Sequence, residues 1–376
     1  DAEGKVTGQT EYPGDLNRED QAHMKILFSG RPHAIVKAID TSKAEALPGV
    51  KAIIGPDDAS DVWIGINQPL LQHGIVNYLG QEIVAIASTS ERIAARAARL
   101  VEFEYETLPT LTDARDAVKE SAIQLHEKAK GNIGWEVNED FGDPDKAFAE
   151  CEVIREDEFV THATHNCYAE YHVCVADFSQ AGKLVVYTPT QTAVLFQKAI
   201  AAAFKMDDSD VRLLTLNTGG GFTGRTSARP HHFLSALLSR EAGRPVRLRA
   251  AGDEEFIMCR AGGEVIYKLR SGATKDGTLK VIEADLLFDT GAYIESQMIV
   301  TLLTSKYLGA LYPIEASRYR GRLAHTNNLP YYFHHGGGLA QFQFALGQHM
   351  DALAHDLGMD SVEFSLKNAV EEGYTV

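Results

Sequence analysis

The chain has 376 residues, 44% of them hydrophobic and 23% charged, with a formal net charge of −16. This is enough chain for two domains of ordinary size, in the balance of a globular protein rather than a disordered or fibrous one. The acidic surplus argues against a nucleic-acid partner, which would need a basic surface, and no apolar run approaches the roughly 18 residues that cross a bilayer.

Residues 34–39 and 50–54 read as strands, joined through the turn signal Leu47-Pro-Gly49. Residues 83–87 form an apolar run expected to be a buried strand. A helix is expected over 90–100 with Ser90 as its N-cap, and the apolar–acidic alternation of 101–105 predicts a half-buried strand. The polar stretch 119–151, with Gly131, Gly134, Gly142 and Pro144, is expected to be a linker. It divides a domain at 1–118 from one at 152–376. In the second domain, strands are expected at 159–164, 173–178, 184–188 and 211–216, and helices at 192–204 and 231–240, the latter stopped by Gly243. Leu339, Phe342, Leu346, Met350, Leu353 and Leu357 recur at helical spacing, so a long helix with a core-facing stripe is expected there, ending at Gly358.

The four cysteines, Cys151, Cys167, Cys174 and Cys259, show no CxxC spacing. A reduced, cytoplasmic chain is therefore expected, and any electrons would have to leave through iron–sulfur groups on another chain. The first residue is Asp1 rather than Met, so a preceding segment is expected, and nothing at this end reads as a signal peptide.

Three loops could carry chemistry. Thr218-Gly-Gly-Gly-Phe-Thr-Gly-Arg225 lies between a strand and a helix, and its glycines let backbone N–H groups approach a bulky polar ligand. Its spacing fits neither a dinucleotide fingerprint nor a P-loop, which disfavours an NAD-dependent enzyme; an ordinary glycine-rich turn remains the other reading. Gln191 ends the segment Tyr187-Thr-Pro-Thr-Gln191 before a helix; its amide both donates and accepts, although on these residues alone a surface amide at a helix start is the leading reading. His334-His-Gly-Gly-Gly338 precedes the long helix and could contact an anion. Adjacent histidines on extended chain point to opposite sides, which makes a poor metal site. The same alternation splits His162, His165, Cys167, His172 and Cys174 between two faces, so no protein-held metal is expected.

At these loops the sequence resembles the molybdenum-binding subunit of the xanthine dehydrogenase and aldehyde oxidase family. The family pattern GGGFGG falls on Gly219, Gly220, Gly221, Phe222, Thr223 and Gly224, and the family glutamine on Gln191. A family segment reading roughly TNxxxxxAFRGFG falls on 326–338. Residues 5–8, 31–33, 78–81 and 104–109 resemble landmarks of an N-terminal a/b hammerhead domain; 289–293 and 357–368 resemble landmarks of the first molybdopterin-binding domain. The resemblance implies an α+β chain, with the a/b hammerhead domain followed by a mixed α/β molybdopterin-binding domain.

It also implies a molybdenum hydroxylase whose metal, or tungsten in its place, is held by a molybdopterin dithiolene in a dinucleotide form. Water would supply the oxygen that enters an aromatic, N-heterocyclic or aldehyde-type substrate. Electrons would pass to [2Fe–2S] and FAD subunits. Gln191 and Phe222 would serve at the metal, with residues 219–224 over the cofactor. Thr223 replaces a family glycine, and Arg225-Thr226 replaces the Lys-Glu of purine-oxidising members. The family arginine falls on His335 and the next aromatic on Gly337, so xanthine is not the expected substrate. Arg225, Thr226, Phe333, His334, His335 and Gly337 become the substrate-pocket candidates. Arg225 also brings the chain closer to aromatic CoA-thioester reductases, and the changed positions allow a scaffold without cofactor. Family members continue into a second molybdopterin-binding domain that carries the general-base glutamate, which is expected here on a partner chain of a split enzyme, the other reading being that this sequence is a fragment of a longer chain.

Overall fold

Every residue of the strand Glu82–Ser88 is buried in the computed structural model. Its Ala85 and Ala87 enter one apolar cluster, and Ile83, Val84 and Ile86 another, so the strand is covered on both faces. The structure describes residues 2–178, 182–260, 262–295, 297–332 and 336–374. They divide into two units that interleave along the chain: 1–110, 165–260 and 327–329 in the first; 111–164, 261–326 and 330–376 in the second.

The first unit is built on a seven-stranded mixed sheet. Its order is Val211–Leu214, Leu184–Tyr187, Val173–Asp177, Val246–Arg249, Ala22–Phe28, Glu82–Ser88, Val50–Ile54. Ala22 pairs with Val246 and His23 with Arg247 in parallel, which joins the N-terminal strands to those of 165–260 in one sheet. Arg247 reinforces the joint, donating to the carbonyl of Gly14 at 2.7 Å and to Asn17 Oδ1 at 2.8 Å. The helix Glu91–Ala98 is capped as expected, Ser90 Oγ accepting from the Ile93 N–H at 3.3 Å. Pro230–Ala242 starts with proline, whose missing N–H costs nothing there, and is buried from Pro230 to Ser239.

The second unit holds a five-stranded sheet, in the order Val153–Thr161, Val265–Ala273, Leu279–Gly291, Ala316–His325, Ile133–Phe141. Helices Gln297–Leu311 and Leu339–Asp356 contribute to its main apolar cluster. The stripe read from the sequence points into it, with Phe342, Leu346, Met350 and Leu353 all buried.

The stretch 119–151 is not a linker. Ile133–Phe141 is an edge strand paired antiparallel with Ala316–His325, and Asp143 caps the helix Pro144–Ala149, which buries Phe148. Only Val137 of that strand is buried, so the alternation that reveals a strand is nearly absent. The strand expected at 159–164 is Val153–Thr161, beginning earlier and ending sooner. Among the described residues no helix is long and apolar enough to cross a membrane.

Candidate functional site

The glycine loop and Gln191 come together in the first unit. Residues 165–172 pass beneath the loop as irregular chain, with Cys167 left-handed at φ of 47°, and their burial alternates. Asn166, Tyr168 and His172 are buried and Glu170 is half-buried, whereas Cys167, Ala169 and Tyr171 are exposed. Glu170 Oε2 accepts the Gly219 N–H at 2.8 Å and Arg225 Nη1 at 2.6 Å. Arg225 Nη2 also donates to the Glu170 carbonyl, and its guanidinium lies 4.5 Å over the Tyr168 ring. The Tyr168 hydroxyl donates to the Gly221 carbonyl at 3.1 Å and accepts from Asn166 Nδ2 at 2.7 Å. Burial pushes the Tyr168 phenol well above its ordinary value, so the group stays a neutral donor.

Gln191 is fixed by its backbone. Its N–H donates to the Arg225 carbonyl at 2.9 Å, and Thr190 Oγ1 donates to the same oxygen at 3.2 Å. The Gln191 side chain is exposed, lies against Gly221, and makes no hydrogen bond among the described residues. Beside it, Phe222 is 39% exposed. Phe222 and Thr223 have φ of 42° and 70°, a left-handed backbone that costs a non-glycine residue and persists only when the surroundings fix it.

The glycines act differently from the sequence expectation. A Cβ at Gly219 would overlap Glu170, one at Gly221 would overlap Gln191, and one at Gly224 would overlap Tyr168 and Asn166. The space they leave is filled by the chain's own side chains rather than kept for a ligand. Gly220 differs, since its φ of 115° excludes an ordinary side chain.

Two substrate-pocket candidates are engaged within the chain. Arg225 is 2% exposed and engaged with Glu170 and Tyr168, so it faces the interior. Thr226 holds the loop closed, its N–H and Oγ1 donating to the Thr223 carbonyl at 3.2 and 2.7 Å. Gly337, with φ of 63°, lies in the second unit in the turn Gly336–Gly338 that starts the long helix. Phe333, His334 and His335 lie outside the described residues.

The other singled-out residues are placed individually. His172 is buried with Nδ1 2.8 Å from Glu255 Oε1, and Cys174 is a core residue whose thiol burial pushes up to about 12. His162 is exposed, and His165 Nδ1 accepts the Cys167 N–H at 2.9 Å. Sequence reasoning missed Asn166, Tyr168 and Glu170. The signal available was the period-2 alternation around His165 and His172, which places these three on the buried side.

Residues 125–369 match the molybdopterin cofactor-binding domain family, and residues 7–109 match the a/b hammerhead domain of aldehyde oxidase and xanthine dehydrogenase. The chain is 28% identical to the nicotinate dehydrogenase large molybdopterin subunit of Eubacterium barkeri, over 98% of this chain and 87% of that protein. It is 26% identical to the xanthine dehydrogenase molybdenum-binding subunit of Escherichia coli O157:H7, over 99% of this chain and 51% of that protein. The structure of the aldehyde oxidoreductase from Desulfovibrio gigas superimposes with a TM-score of 0.92 at 29% identity, covering 99% of this chain and 43% of that one. The chain thus spans about half the length of the last two. It belongs to the molybdenum hydroxylase family, with an a/b hammerhead domain and a molybdopterin cofactor-binding domain.

Proposed function

We propose that this chain is the molybdenum-cofactor-binding subunit of a cytoplasmic, multi-subunit hydroxylase acting on an aromatic, N-heterocyclic or aldehyde-type substrate. The observation that carries the reading is the unengaged Gln191 amide, set against Gly221 beside the exposed ring of Phe222. An amide with both donor and acceptor free suits a ligand whose polar atoms change protonation, and an exposed ring suits a flat one. These residues fit the cofactor: Gln191 would meet its polar face, and residues 219–224 would lie over it with Phe222 at the surface. When bound, the molybdopterin cofactor, in a dinucleotide form, supplies the two-electron oxidation, with water as the oxygen source. The chain's own part is to hold the Gln191 amide at a fixed position and to keep the loop rigid beside it.

The general-base glutamate would come from a second molybdopterin-domain chain, and the electrons would leave to [2Fe–2S] and FAD subunits. The name of the Eubacterium barkeri relative, a large molybdopterin subunit of which this chain covers 87%, supports a separate molybdopterin-domain chain.

The test is composition of the complex purified from its native source. Molybdenum or tungsten near one atom per chain is expected, with pterin released on denaturation and co-purifying chains that absorb as flavin and iron–sulfur. A complex free of both metal and pterin would overturn the assignment in favour of a scaffold.

A further inference from the structure

We propose that Glu170, Arg225 and Tyr168 form a positioning brace that sets the conformation of the glycine loop and, through it, the placement of Gln191. The proposal rests on the cofactor-facing reading of that loop only for its consequence, not for its geometry. Three separate points of the loop are tied to the segment 165–172 below it. Gly219 is held through its N–H by Glu170, Gly221 through its carbonyl by Tyr168, and Arg225 through its guanidinium by Glu170. Between these ties sit Phe222 and Thr223 in left-handed backbone, which needs such over-determination.

Arg225 is the shared element. Its side chain holds the segment below, while its carbonyl accepts the N–H of Gln191 and the hydroxyl of Thr190. A shift of the guanidinium therefore moves both halves of the candidate site at once.

The side chains of Arg225 and Glu170 are 2% and 12% exposed. A buried ion pair is a weak source of stability, because desolvation offsets much of the attraction and an apolar pair of equal volume serves as well. Two directed contacts, Nη1 to the Glu170 carboxylate and Nη2 to the Glu170 carbonyl, do what an apolar pair cannot, which is to fix direction. None of the three residues needs to touch a ligand, so they are positioning residues.

Glu170→Gln tests this with little change of volume. It removes the charge from Oε2, the one oxygen that accepts both the Gly219 N–H and Arg225 Nη1, and so leaves the guanidinium without its counter-charge. Hydrogen exchange is followed by mass spectrometry on the full chain as purified. Amides of 219–226 should exchange about tenfold faster or more, the loss expected for a charge-assisted hydrogen bond. Those of the strand Val265–Ala273 should not change, and molybdenum content should fall severalfold. Tyr168→Phe removes the tie to Gly221 together with the Asn166 contact, leaves both Glu170 ties, and should give a smaller, equally local acceleration, which keeps the test decisive if Glu170→Gln does not fold.

Unchanged loop exchange in a folded variant, or an equal rise throughout the chain, would overturn the brace. Local loosening with full molybdenum content would support the brace and overturn the cofactor-facing reading of the loop instead.

Discussion

At the scale of single residues, Gln191 and Gly221 form a pair in which one depends on the other. Gln191→Ala removes an exposed amide with no hydrogen bond among the described residues, so the melting temperature should stay within a degree or so. Turnover should fall about 10²–10³-fold, or about 2–4 kcal/mol, if the amide stabilises charge that develops in the reaction. Gly221 lies outside the positive-φ region, so alanine is allowed by its backbone. Its methyl would still come within 2.6 Å of Gln191 Cγ and Oε1 and must displace that side chain. Gly221→Ala should therefore reproduce the turnover loss of Gln191→Ala. Full activity in both variants, each fully loaded with metal, would make Gln191 a simple helix-start amide. Gly220 is a poorer probe, because at φ of 115° any side chain is strained and lowers stability whether or not a ligand is near.

At the scale of elements, the five-stranded sheet carries a row of alternating charge across its full width. Glu156, Arg270, Glu283, Arg318 and Asp140 are register partners on successive strands. Their ion pairs follow in order at 3.0, 3.5, 3.7 and 3.4 Å. A one-residue slip of any strand would turn its charge to the opposite face, so the row specifies register as much as stability. It also explains how an edge strand as polar as Ile133–Phe141 finds its place, with Arg320 adding a second contact to Asp140 at 2.7 Å. Arg318, 23% exposed, also pairs with Asp145 at 3.2 Å. Arg318→Met should cost about 1 kcal/mol in denaturant unfolding at low salt, and less at 1 M salt where exposed pairs are screened. An unfolding midpoint that is unchanged at low salt would show that the row contributes nothing measurable.

At the scale of the molecule, both units bury histidines that burial keeps neutral. His172, His231 and His232 in the first unit and His349 in the second all have depressed pKa values, and His325 in the second falls to about 3. Desolvation is the largest cause in each; for His172 and His349 it outweighs the upward pull of Glu255 and Asp157. The sign follows directly. Above about pH 6.5 neither state binds these protons and the full stability is present; below it the unfolded chain takes them up first. Each such histidine then subtracts about 1.4 kcal/mol per pH unit until its folded value is reached, which for His325 continues to about pH 3. The melting temperature should fall steeply from pH 6.5 to pH 5. A flat profile over that range would mean that the buried rings find proton acceptors in the folded state.

The sequence by itself determined whatever depends on near neighbours. The helical stripe ending at Leu357, the Ser90 cap, the apolar run of Glu82–Ser88 and the glycine loop are each written within a few positions, and the motifs at Gln191 and 219–224 were enough to point to the family. Tertiary structure decided what depends on distant partners. Residues 119–151 read as a linker because the strand Ile133–Phe141 takes its hydrogen bonds and counter-charges from 316–325. Arg225 read as a pocket residue because it falls on a family substrate-contacting position; Glu170, more than fifty positions earlier, turns it inward. The parallel pairing of Ala22–Phe28 with Val246–Arg249 likewise joins into one sheet two regions that the sequence assigned to separate domains. Burial and pairing are properties of the partner as much as of the residue, and local pattern carries no record of a partner so far along the chain.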